Sequence, residues 1–316
     1  MKDKHVRTGK SIQQQTGKTF HLATRLLPER VRHPTYVLYG FFRICDEVVD
    51  DADGVSPQAQ EARLESFRAQ ALGTVEPDDP VLEAFHELRE THGISDEEVT
   101  LFIDAMESDI TKSRYADYEE LEAYMRGSAA AVGRMMTTIM NPEDVERALP
   151  HATALGEAFQ LTNFLRDVRE DIEDRDRIYL PRTTLSRYGV TDAEIQTLDF
   201  SAAFADVMRD ELHRAESLYR DGVAGIQFLP EDCQFAVLVS AVLYADYHRV
   251  IRAQGYDVLS KEPSLGTLRK LSLIARTRWH WRKTHDPETV FRAVSSVSTS
   301  EHRHSDFERR DTLPTR

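Results

Sequence analysis

The sequence predicts an all-α protein, and three observations support that class. Nearly every stretch with a periodic apolar pattern has apolar residues three and four positions apart, which is helical spacing. No stretch alternates apolar and polar residues for long enough to build a sheet. Helix-start signals recur along the chain as a capping side chain followed by proline or acidic residues. Helices are therefore the regular element that the sequence predicts throughout.

The first start signals are prolines and capping side chains. Pro34 is expected in the first turn of the first long helix, where a missing backbone N–H costs little. Ser56 is expected to cap a second helix that has Pro57 at its first position. Residues 95–98 and 191–194 have the capping-box sequences Ser-x-x-Glu and Thr-x-x-Glu, in which two side chains satisfy each other's backbone N–H groups. Each of these signals predicts where a helix begins.

Small residues and further prolines place the remaining helices. Asp117 is expected to cap a helix that continues through residues 127–133, a stretch of glycine, serine, alanine and valine. Small side chains let two helices approach closely, and they can also leave room for a concave cavity wall; both interpretations stay open. Pro142 and Pro230 are expected to begin further helices, and the last predicted helix runs from about residue 265 to 283.

Composition and charge limit the class of protein. The chain has 316 residues and a net charge of −14, which argues against a nucleic acid partner. Its two cysteines, Cys45 and Cys233, are too few for a disulfide framework and fit a cytoplasmic protein. Residues 1–15 are polar, unlike a signal peptide, and the most apolar stretch, 235–244, is far short of the ~20 residues of a membrane span. We expect that stretch to be a buried helix beside a cavity.

Two acidic motifs are the most informative feature of the chain. Asp46 and Asp50 form an Asp-x-x-x-Asp pair, and Asp167 and Asp171 form a second pair. On a helix this spacing puts both carboxylates on one face, with Cβ atoms roughly 5–6 Å apart and like charges repelling each other. Mg²⁺ would explain such an arrangement, because it binds one or two carboxylates together with substrate phosphate oxygens. Two such helices facing each other would hold a diphosphate through bridging metal ions.

The spacing alone is weak evidence, because Asp206 and Asp210 repeat it. Their helix has a continuous apolar face on the opposite side, so we interpret this third pair as part of an ordinary solvated stripe. The side chains that accompany the first two pairs are what distinguish them.

The first motif shares its helix face with other functional groups. A sector of roughly 60° contains a phenol, a guanidinium and two carboxylates, from Tyr39, Arg43, Asp46 and Asp50. The opposite side is apolar. The alternatives are a surface stripe on an amphipathic helix and a ligand-binding face, and the aromatic residues nearby favour the second.

The second motif also has a polar face. Over roughly 140° of the helix, this face carries oxygen ligands and basic groups: Gln160, Asn163, Arg166, Asp167, Glu170 and Asp171. Three of them, Asn163, Asp167 and Asp171, are one turn apart and form a ladder of oxygen ligands. The charged stretch 174–180, which ends at Pro181, predicts a loop or lid beside a metal ion. The alternative is an exposed helix end held by salt bridges.

These motifs carry a resemblance to a known family. Asn-x-x-Arg-Asp-x-x-Glu-Asp at 163–171, followed by Arg-x-Tyr-Leu-Pro at 177–181, resembles the second aspartate-rich motif of the squalene/phytoene synthase family. Residues 46–51, preceded by an arginine, resemble its first motif. Residues 19–28 and 127–133 resemble its amino-terminal segment and its small-residue helix, so the resemblance extends over nearly the whole chain.

The resemblance implies an isoprenoid synthase fold with a central cavity. It also implies that residues 1–289 form a single helical domain, and the serine- and arginine-rich composition of residues 290–316 predicts a polar, mobile tail. The implied reaction is head-to-head condensation of two prenyl diphosphates with Mg²⁺, or with Mn²⁺ in its place. The implied metal ligands are Asp46, Asp50, Asn163, Asp167 and Asp171.

The same resemblance implies further site residues. Tyr39 and Tyr244 are expected to act with the aspartates around the reacting carbons. Contacts with the substrate or its lid are expected from Phe20, Arg43, Gln160, Asn163, Arg166, Arg177, Tyr179 and Lys261. Two departures from the family pattern concern such contacts. Met125 and Arg126 replace a more usual Cys-Tyr, so a tyrosine contact is expected to be missing, and Lys261 stands where an arginine is common.

Several products remain open. Two geranylgeranyl diphosphates without a reductant would give phytoene, whereas two farnesyl diphosphates would give squalene with NADPH or dehydrosqualene without it. The motifs look more like those of microbial phytoene synthases, which favours phytoene, the first committed step of carotenoid biosynthesis, and no need for NADPH. A non-catalytic binder of prenyl diphosphates is a further alternative, although the intact ligand ladders argue against it. We also expect peripheral membrane contact from the cytoplasm, with no basic amphipathic anchor evident, and handover of the product to a desaturase.

Overall fold

The computed structural model describes residues 22–50 and 54–297, and within these ranges it contains helices and turns but no strand. A single isolated β-bridge joins Arg114 and Ile178. The all-α prediction is therefore confirmed. From residue 29 onward the α-helices are α1 (Glu29–Asp50), α2 (Pro57–Ala71), α3 (Pro80–His92), α4 (Asp96–Asp109), α5 (Tyr118–Met125), α6 (Ala131–Met140), α7 (Val145–Arg166), α8 (Val168–Arg175), α9 (Arg182–Tyr188), α10 (Asp192–Gln196), α11 (Ala202–Ala224), α12 (Glu231–Ala253), α13 (Thr267–Thr284) and α14 (Pro287–Val294).

Two of the predicted helix starts have the predicted chemistry. The Ser56 side chain accepts a hydrogen bond from the Ala59 N–H, and Pro57 is the first residue of α2. Thr191 and Glu194 form a complete capping box at the start of α10. These starts follow from local sequence, because the groups that satisfy the first turn lie within four residues of each other.

Two other starts differ from the prediction. Pro34 lies inside α1 rather than in its first turn, because the turn forms earlier, where the Pro28 carbonyl accepts from the Arg32 N–H at 2.8 Å. At the other start, α7 begins after Pro142, at Val145, with Asp144 as the capping residue.

The capping box predicted at residues 95–98 is only half formed. The Ser95 side chain accepts from the Glu98 N–H at the start of α4, as predicted. The Glu98 carboxylate does not return to Ser95; it accepts from Arg126 at 2.8 and 2.9 Å and also binds Arg134. A buried ion pair from two other helices therefore replaces the local cap.

The carboxyl-terminal boundary also differs. Helix α14 crosses the boundary predicted after residue 289, and its Val290, Phe291 and Val294 are buried. Phe291 stacks on Tyr219 of α11 with ring centroids 5.9 Å apart. The serine- and arginine-rich composition obscured this short apolar pattern. The packed helices therefore continue at least to Val294, and residues 298–316 lie outside the described part of the chain.

Two apolar clusters form the interior. In the first, Phe41 of α1 stacks on Phe85 of α3 at 3.8 Å and lies 5.7 Å from Phe102 of α4. The second lies among α11, α12, α13 and α14. Helix α7 contributes to both clusters, since Leu165 belongs to the first and Leu155 to the second. This helix therefore holds the two parts of the interior together.

Close helix crossings surround α7. A π-helical segment (Arg126–Ala130) joins α5 to α6 at this point. A Cβ atom on Gly133 would lie 2.7 Å from the carbonyl oxygen of Ala152, and one on Gly156 would lie 2.7 Å from that of Ala129. Both distances are too short for non-bonded atoms, so these glycines allow the close approach. The tight-packing interpretation of the small-residue stretch is confirmed.

The apolar stretch 235–244 lies in α12, as predicted, and most of this helix is buried. Its Ala236, Val237, Ser240 and Tyr244 line a cavity. Within the described ranges, no helix combines the length and the apolar character that crossing a bilayer requires.

Candidate active site

A cavity of about 550 Å³ lies at the centre of the helices, and both acidic motifs line it. Its size is typical of pockets that bind small molecules. The polar lining residues come from the two motifs and their neighbours. The remaining wall is largely apolar and includes Leu27, Leu38, Val132, Met136, Met140, Ala148, Ala152, Leu155, Ile226, Leu229, Ala236 and Val237. The cavity can therefore hold a charged group and a long apolar chain together.

Arg175 joins the two motifs. Its Nε and Nη2 lie 3.3 and 3.4 Å from the carboxylate oxygens of Asp50, on α1. Its Nη1 lies 3.7 Å from Oδ1 of Asp171, one turn earlier on α8. Through Arg175, which lies 125 residues from Asp50 in the chain, the structure brings the two acidic motifs to the same end of the cavity.

The first motif lines the cavity with four side chains, from Tyr39, Arg43, Asp46 and Asp50. Burial, and then the negative charge of Asp50, raise the pKa of Asp46 from 3.8 to about 7. The Nε of Arg43 donates to Glu47 at 3.1 Å, so this arginine is held along the helix. Two carboxylates that repel each other in a partly desolvated wall favour a bound cation.

The second motif is bent in the middle. Helix α7 ends at Arg166, and Asp167 has φ −101° and ψ 15° before α8 begins. The spacing of the motif suggested one continuous helix, but the structure divides it between two helices. The helical spacing survives, because the Asp167 N–H donates to the Asn163 carbonyl and the Asp171 N–H to that of Asp167, both at 2.8 Å. Asn163, Asp167 and Asp171 all line the cavity.

The ligand atoms of the second motif are incompletely satisfied. Oδ1 of Asn163 is buried and accepts no hydrogen bond from the described residues. Burial, and then the charge of Asp167, raise the pKa of Asp171 to about 7. Asp167 itself is paired with Arg166, whose Nε lies 2.5 Å from Oδ1. A buried amide oxygen without a donor, beside carboxylates, has the chemistry of a hard-cation site.

These ligands fit Mg²⁺ only together with a substrate. In the part of the chain that the structure describes, no three His, Cys, Asp or Glu side chains are close enough to hold a metal ion by themselves. Mg²⁺ commonly takes one or two carboxylates, and its other ligands are waters and phosphate oxygens. The donor set therefore suits an ion that arrives with a diphosphate.

Asp109 and Tyr124 are cavity residues that the sequence did not indicate. The Tyr124 hydroxyl donates to Oδ2 of Asp109 at 2.7 Å, while Oδ1 of Asp109 has no partner among the described residues. Burial raises the pKa of Asp109 to about 6. A signal existed, since Asp109 continues the buried face of α4 that Phe102 and Met106 define. Tyr124 supplies a cavity tyrosine at the point where the family comparison predicted one to be missing.

Aromatic rings cover one wall near the motifs. Tyr179 stacks on Phe164 with ring centroids 3.8 Å apart and planes at 8°. Tyr244 lies 4.8 Å from Phe159, and burial raises the pKa of its hydroxyl to about 12. All four of these aromatic residues line the cavity, where aromatic rings can stabilise positive charge.

Comparison of the sequence with known proteins identifies its family. Residues 13–270 match the family model described as Squalene/phytoene synthase. The chain belongs to the squalene/phytoene synthase family. The phytoene synthase of Pseudescherichia vulneris is 31% identical over 266 residues, covering 81% of this chain and 85% of that one. The 15-cis-phytoene synthase of Synechococcus elongatus is 31% identical over 270 residues, covering 80% and 86%.

A solved structure shares the fold. The crystal structure of a dehydrosqualene synthase in complex with a ligand matches with a TM-score of 0.78 and 26% identity, covering 88% of this chain and 97% of that one. The predicted isoprenoid synthase fold with its central cavity is confirmed.

Most of the site residues that the squalene/phytoene synthase resemblance implied line the cavity, including Gln160, Arg166, Arg177 and Tyr179. Lys261 does not: its side chain is exposed and outside the cavity wall. Arg169 holds the segment before it beside α8, donating to the Leu259 carbonyl at 2.9 Å. Phe20 lies outside the described residues.

Proposed function

We propose that this chain condenses two geranylgeranyl diphosphates head to head, through a cyclopropyl diphosphate intermediate, to phytoene, the first committed step of carotenoid biosynthesis. The observation that carries the proposal is the single cavity in which two acidic motifs meet beside an apolar wall. The phytoene synthases among its relatives support the choice of product.

The polar end would bind the diphosphate groups. Asp46, Asp50, Asn163, Asp167 and Asp171 would hold Mg²⁺, or Mn²⁺ in its place, which neutralises the leaving group and helps the allylic carbon–oxygen bond to ionise. Two arginine side chains lie beside the carboxylates. Arg175 lies between the two motifs, and the Nη2 of Arg177 donates to the backbone carbonyl of Asp109 at 2.7 Å. Their guanidinium groups can turn toward diphosphate oxygens.

The aromatic wall would protect the carbocations. Ionisation of the first substrate releases diphosphate and leaves an allylic cation, which the double bond of the second substrate attacks. The stacked rings of Phe164 and Tyr179, and Tyr244 beyond them, stabilise positive charge without forming a bond to it. The apolar lining excludes water, which would otherwise trap the cation as an alcohol.

The reaction balances without a reductant. Loss of one proton closes the cyclopropane ring. The second diphosphate then leaves, the carbon skeleton rearranges, and loss of a second proton forms the central double bond. Two substrates therefore give one hydrocarbon, two diphosphates and two protons, so no NADPH is expected.

The product also suggests partners. A forty-carbon hydrocarbon has no polar group and is insoluble in water, so we expect the protein to contact a membrane from the cytoplasm. We expect the hydrocarbon to pass from there to a desaturase.

A thirty-carbon product is the second candidate, favoured by the structural match to a dehydrosqualene synthase. A product assay on the purified protein with Mg²⁺, using farnesyl and geranylgeranyl diphosphate with and without NADPH, separates the candidates. Phytoene from the longer substrate, independent of NADPH, supports the proposal, whereas a thirty-carbon hydrocarbon replaces it with the second candidate. If neither substrate gives a product, the remaining alternative is a non-catalytic binder of prenyl diphosphates.

Site variants test the assignment of the motifs. Asp46→Asn and Asp167→Asn should abolish Mg²⁺-dependent turnover, while the control Asp206→Asn, on the exposed face of α11, should retain it. Equal hydrocarbon output from all three variants would remove the metal role from the motifs.

A further inference from the structure

Helix α13 has an unusual charge for this protein. It carries six basic residues and no acidic one, in a chain whose net charge is −14: Arg269, Lys270, Arg276, Arg278, Arg282 and Lys283. A concentration of positive charge on one surface helix of an acidic protein indicates a negatively charged partner.

The same helix exposes large apolar side chains. Leu268, Leu271 and Trp279 are 84%, 54% and 56% exposed. Helical geometry places these three within a sector of roughly 80°, which we call the α13 outer face. The opposite side of α13, with Leu273 and Trp281, is buried. The outer face is thus an apolar stripe that the folded interior does not require.

Basic side chains flank this stripe on both sides. By the same geometry Arg278 lies along one border, Lys283 and Arg276 lie along the other, and Arg282 lies within the sector between Leu271 and Leu268. Nζ of Lys283 lies 3.1 Å from the centroid of the Trp279 ring, as a cation stacked on an exposed aromatic face. An apolar stripe between two basic borders is the pattern of helices that lie in the interface of a membrane.

We propose that the α13 outer face binds a bilayer that contains anionic lipids, with Leu268, Leu271 and Trp279 inserted among the acyl chains and the flanking basic groups on the head groups. The charge of the helix complements anionic head groups, and the exposed leucines and tryptophan match the boundary between head groups and acyl chains. The structure therefore supplies the basic amphipathic helix that was not evident in the sequence.

Other occupants fit the surface less well. A nucleic acid would leave the exposed leucines in water and would meet a strongly acidic protein. A second copy of α13 would bring two basic helices together. Residues 298–316 contain four acidic and four basic residues, so their net charge is zero and offers no complement to the helix.

The position of α13 would bring the membrane close to the cavity. Helix α12 lies between α13 and the cavity: its Phe235 ring is 6.3 Å from that of Trp281, and its Ala236 and Val237 line the cavity. The outer face is thus one helix away from the space that would release an apolar product. The binding itself does not depend on the proposed reaction.

Vesicle flotation of the full chain tests the proposal without substrate. We expect binding to vesicles with 30% phosphatidylglycerol, ~100-fold weaker binding to phosphatidylcholine vesicles, and loss of binding as salt rises. Trp279 and Trp281 are the two tryptophans of the chain, and Trp281 is buried, so the emission of Trp279 should shift to the blue on binding. The shift should disappear in Trp279→Tyr.

Matched variants separate the two kinds of contact. Arg278→Gln with Arg282→Gln should weaken binding about 30-fold, at roughly fivefold per arginine, whereas Arg187→Gln with Arg209→Gln, which changes the net charge equally, should not. Leu268→Ser with Leu271→Ser should weaken it at least tenfold, and the control Val55→Ser with Val75→Ser should not.

Four results would overturn the proposal. The first is equal binding to both kinds of vesicle. The second is unchanged binding by both α13 variants. The third is binding only after residues 298–316 are removed, which would make that segment the occupant of the face. Competition by duplex DNA at equal charge concentration would point to nucleic acid instead.

Discussion

Replacing Asp171 by asparagine should make the metal-free protein more stable while abolishing its Mg²⁺-dependent turnover. The substitution keeps the shape of the side chain and removes its charge. Asp171 is 14% exposed, so its carboxylate is poorly solvated, and Asp167 adds a like charge one turn away. These two effects raise its pKa, and they are the reason that its ionised form destabilises the fold.

The magnitude and its sign follow from that pKa. A folded pKa of about 7, above the ordinary 3.8, means that the folded state holds its proton more tightly than the unfolded state. Stability therefore falls as pH rises from about 4 to about 7, and the loss is complete above pH 8. The difference between the two pKa values corresponds to a loss of ~4 kcal/mol in the free energy of unfolding, which solvent screening reduces to roughly 2 kcal/mol. Asparagine does not ionise, so the variant avoids this loss.

Urea unfolding in EDTA at pH 5 and pH 8 measures the effect. Asp171→Asn should exceed the wild type by ~2 kcal/mol at pH 8 and by less at pH 5. Asp206→Asn is the matched control, because Asp206 belongs to the same kind of aspartate pair but is 48% exposed and bound to Arg209. An Asp171→Asn variant no more stable than the wild type at pH 8, or one that keeps its Mg²⁺-dependent turnover, would refute the reasoning.

Three further predictions concern the same cavity. Mg²⁺ and pyrophosphate added together should raise the unfolding free energy by ~2 kcal/mol or more, since each supplies ligands to the other, and merely additive thermal shifts would contradict this. Gly156→Ala should cost ~1–3 kcal/mol in urea unfolding, because its Cβ would meet the Ala129 carbonyl. Gly266→Ala, whose Cβ would have no atom within 4 Å, should cost less, at most ~1 kcal/mol, because alanine is a poorer residue than glycine at the start of α13. Tyr124→Phe should lower the unfolding free energy by ~1.5–3 kcal/mol at pH 8, where Asp109 is ionised. The loss should be smaller at pH 5, which is below the pKa of Asp109 of about 6. Equal losses at both pH values would argue against the charged hydrogen bond.

The parts of the fold that the sequence predicted are those with local causes. Ser56 and Thr191 cap their helices with groups a few residues away, so their chemistry is visible in a short window. The faces of the acidic motifs were predictable for the same reason, because the spacing of Asp46 and Asp50 fixes their direction on any helix. That both motifs line one cavity could be expected from the family resemblance alone.

The parts that the sequence did not predict depend on contacts between distant segments. Glu98 leaves its expected cap because two arginines from other helices bind it. Arg175 reaches the site because the chain changes direction at Asp167, just before α8, and this places the Arg175 side chain beside Asp50. Asp109 is identifiable only as an acidic residue on an apolar helix face, and what it faces depends on tertiary packing.

Helix α13 shows why burial must be known before an amphipathic face can be interpreted. Its leucines and tryptophans occur on two sides with basic residues between them, so the sequence pattern does not show which apolar side is buried. Once Trp281 is seen packed beside Phe235, the remaining apolar side, with Trp279, is left without a function in folding. The acidic motifs are also unfavourable for folding, but their charge is negative: their carboxylates repel each other in the folded protein. In both places the chain keeps an arrangement that folding alone would disfavour, and in both a ligand of complementary charge, a metal–diphosphate in one and an anionic bilayer in the other, would remove the conflict.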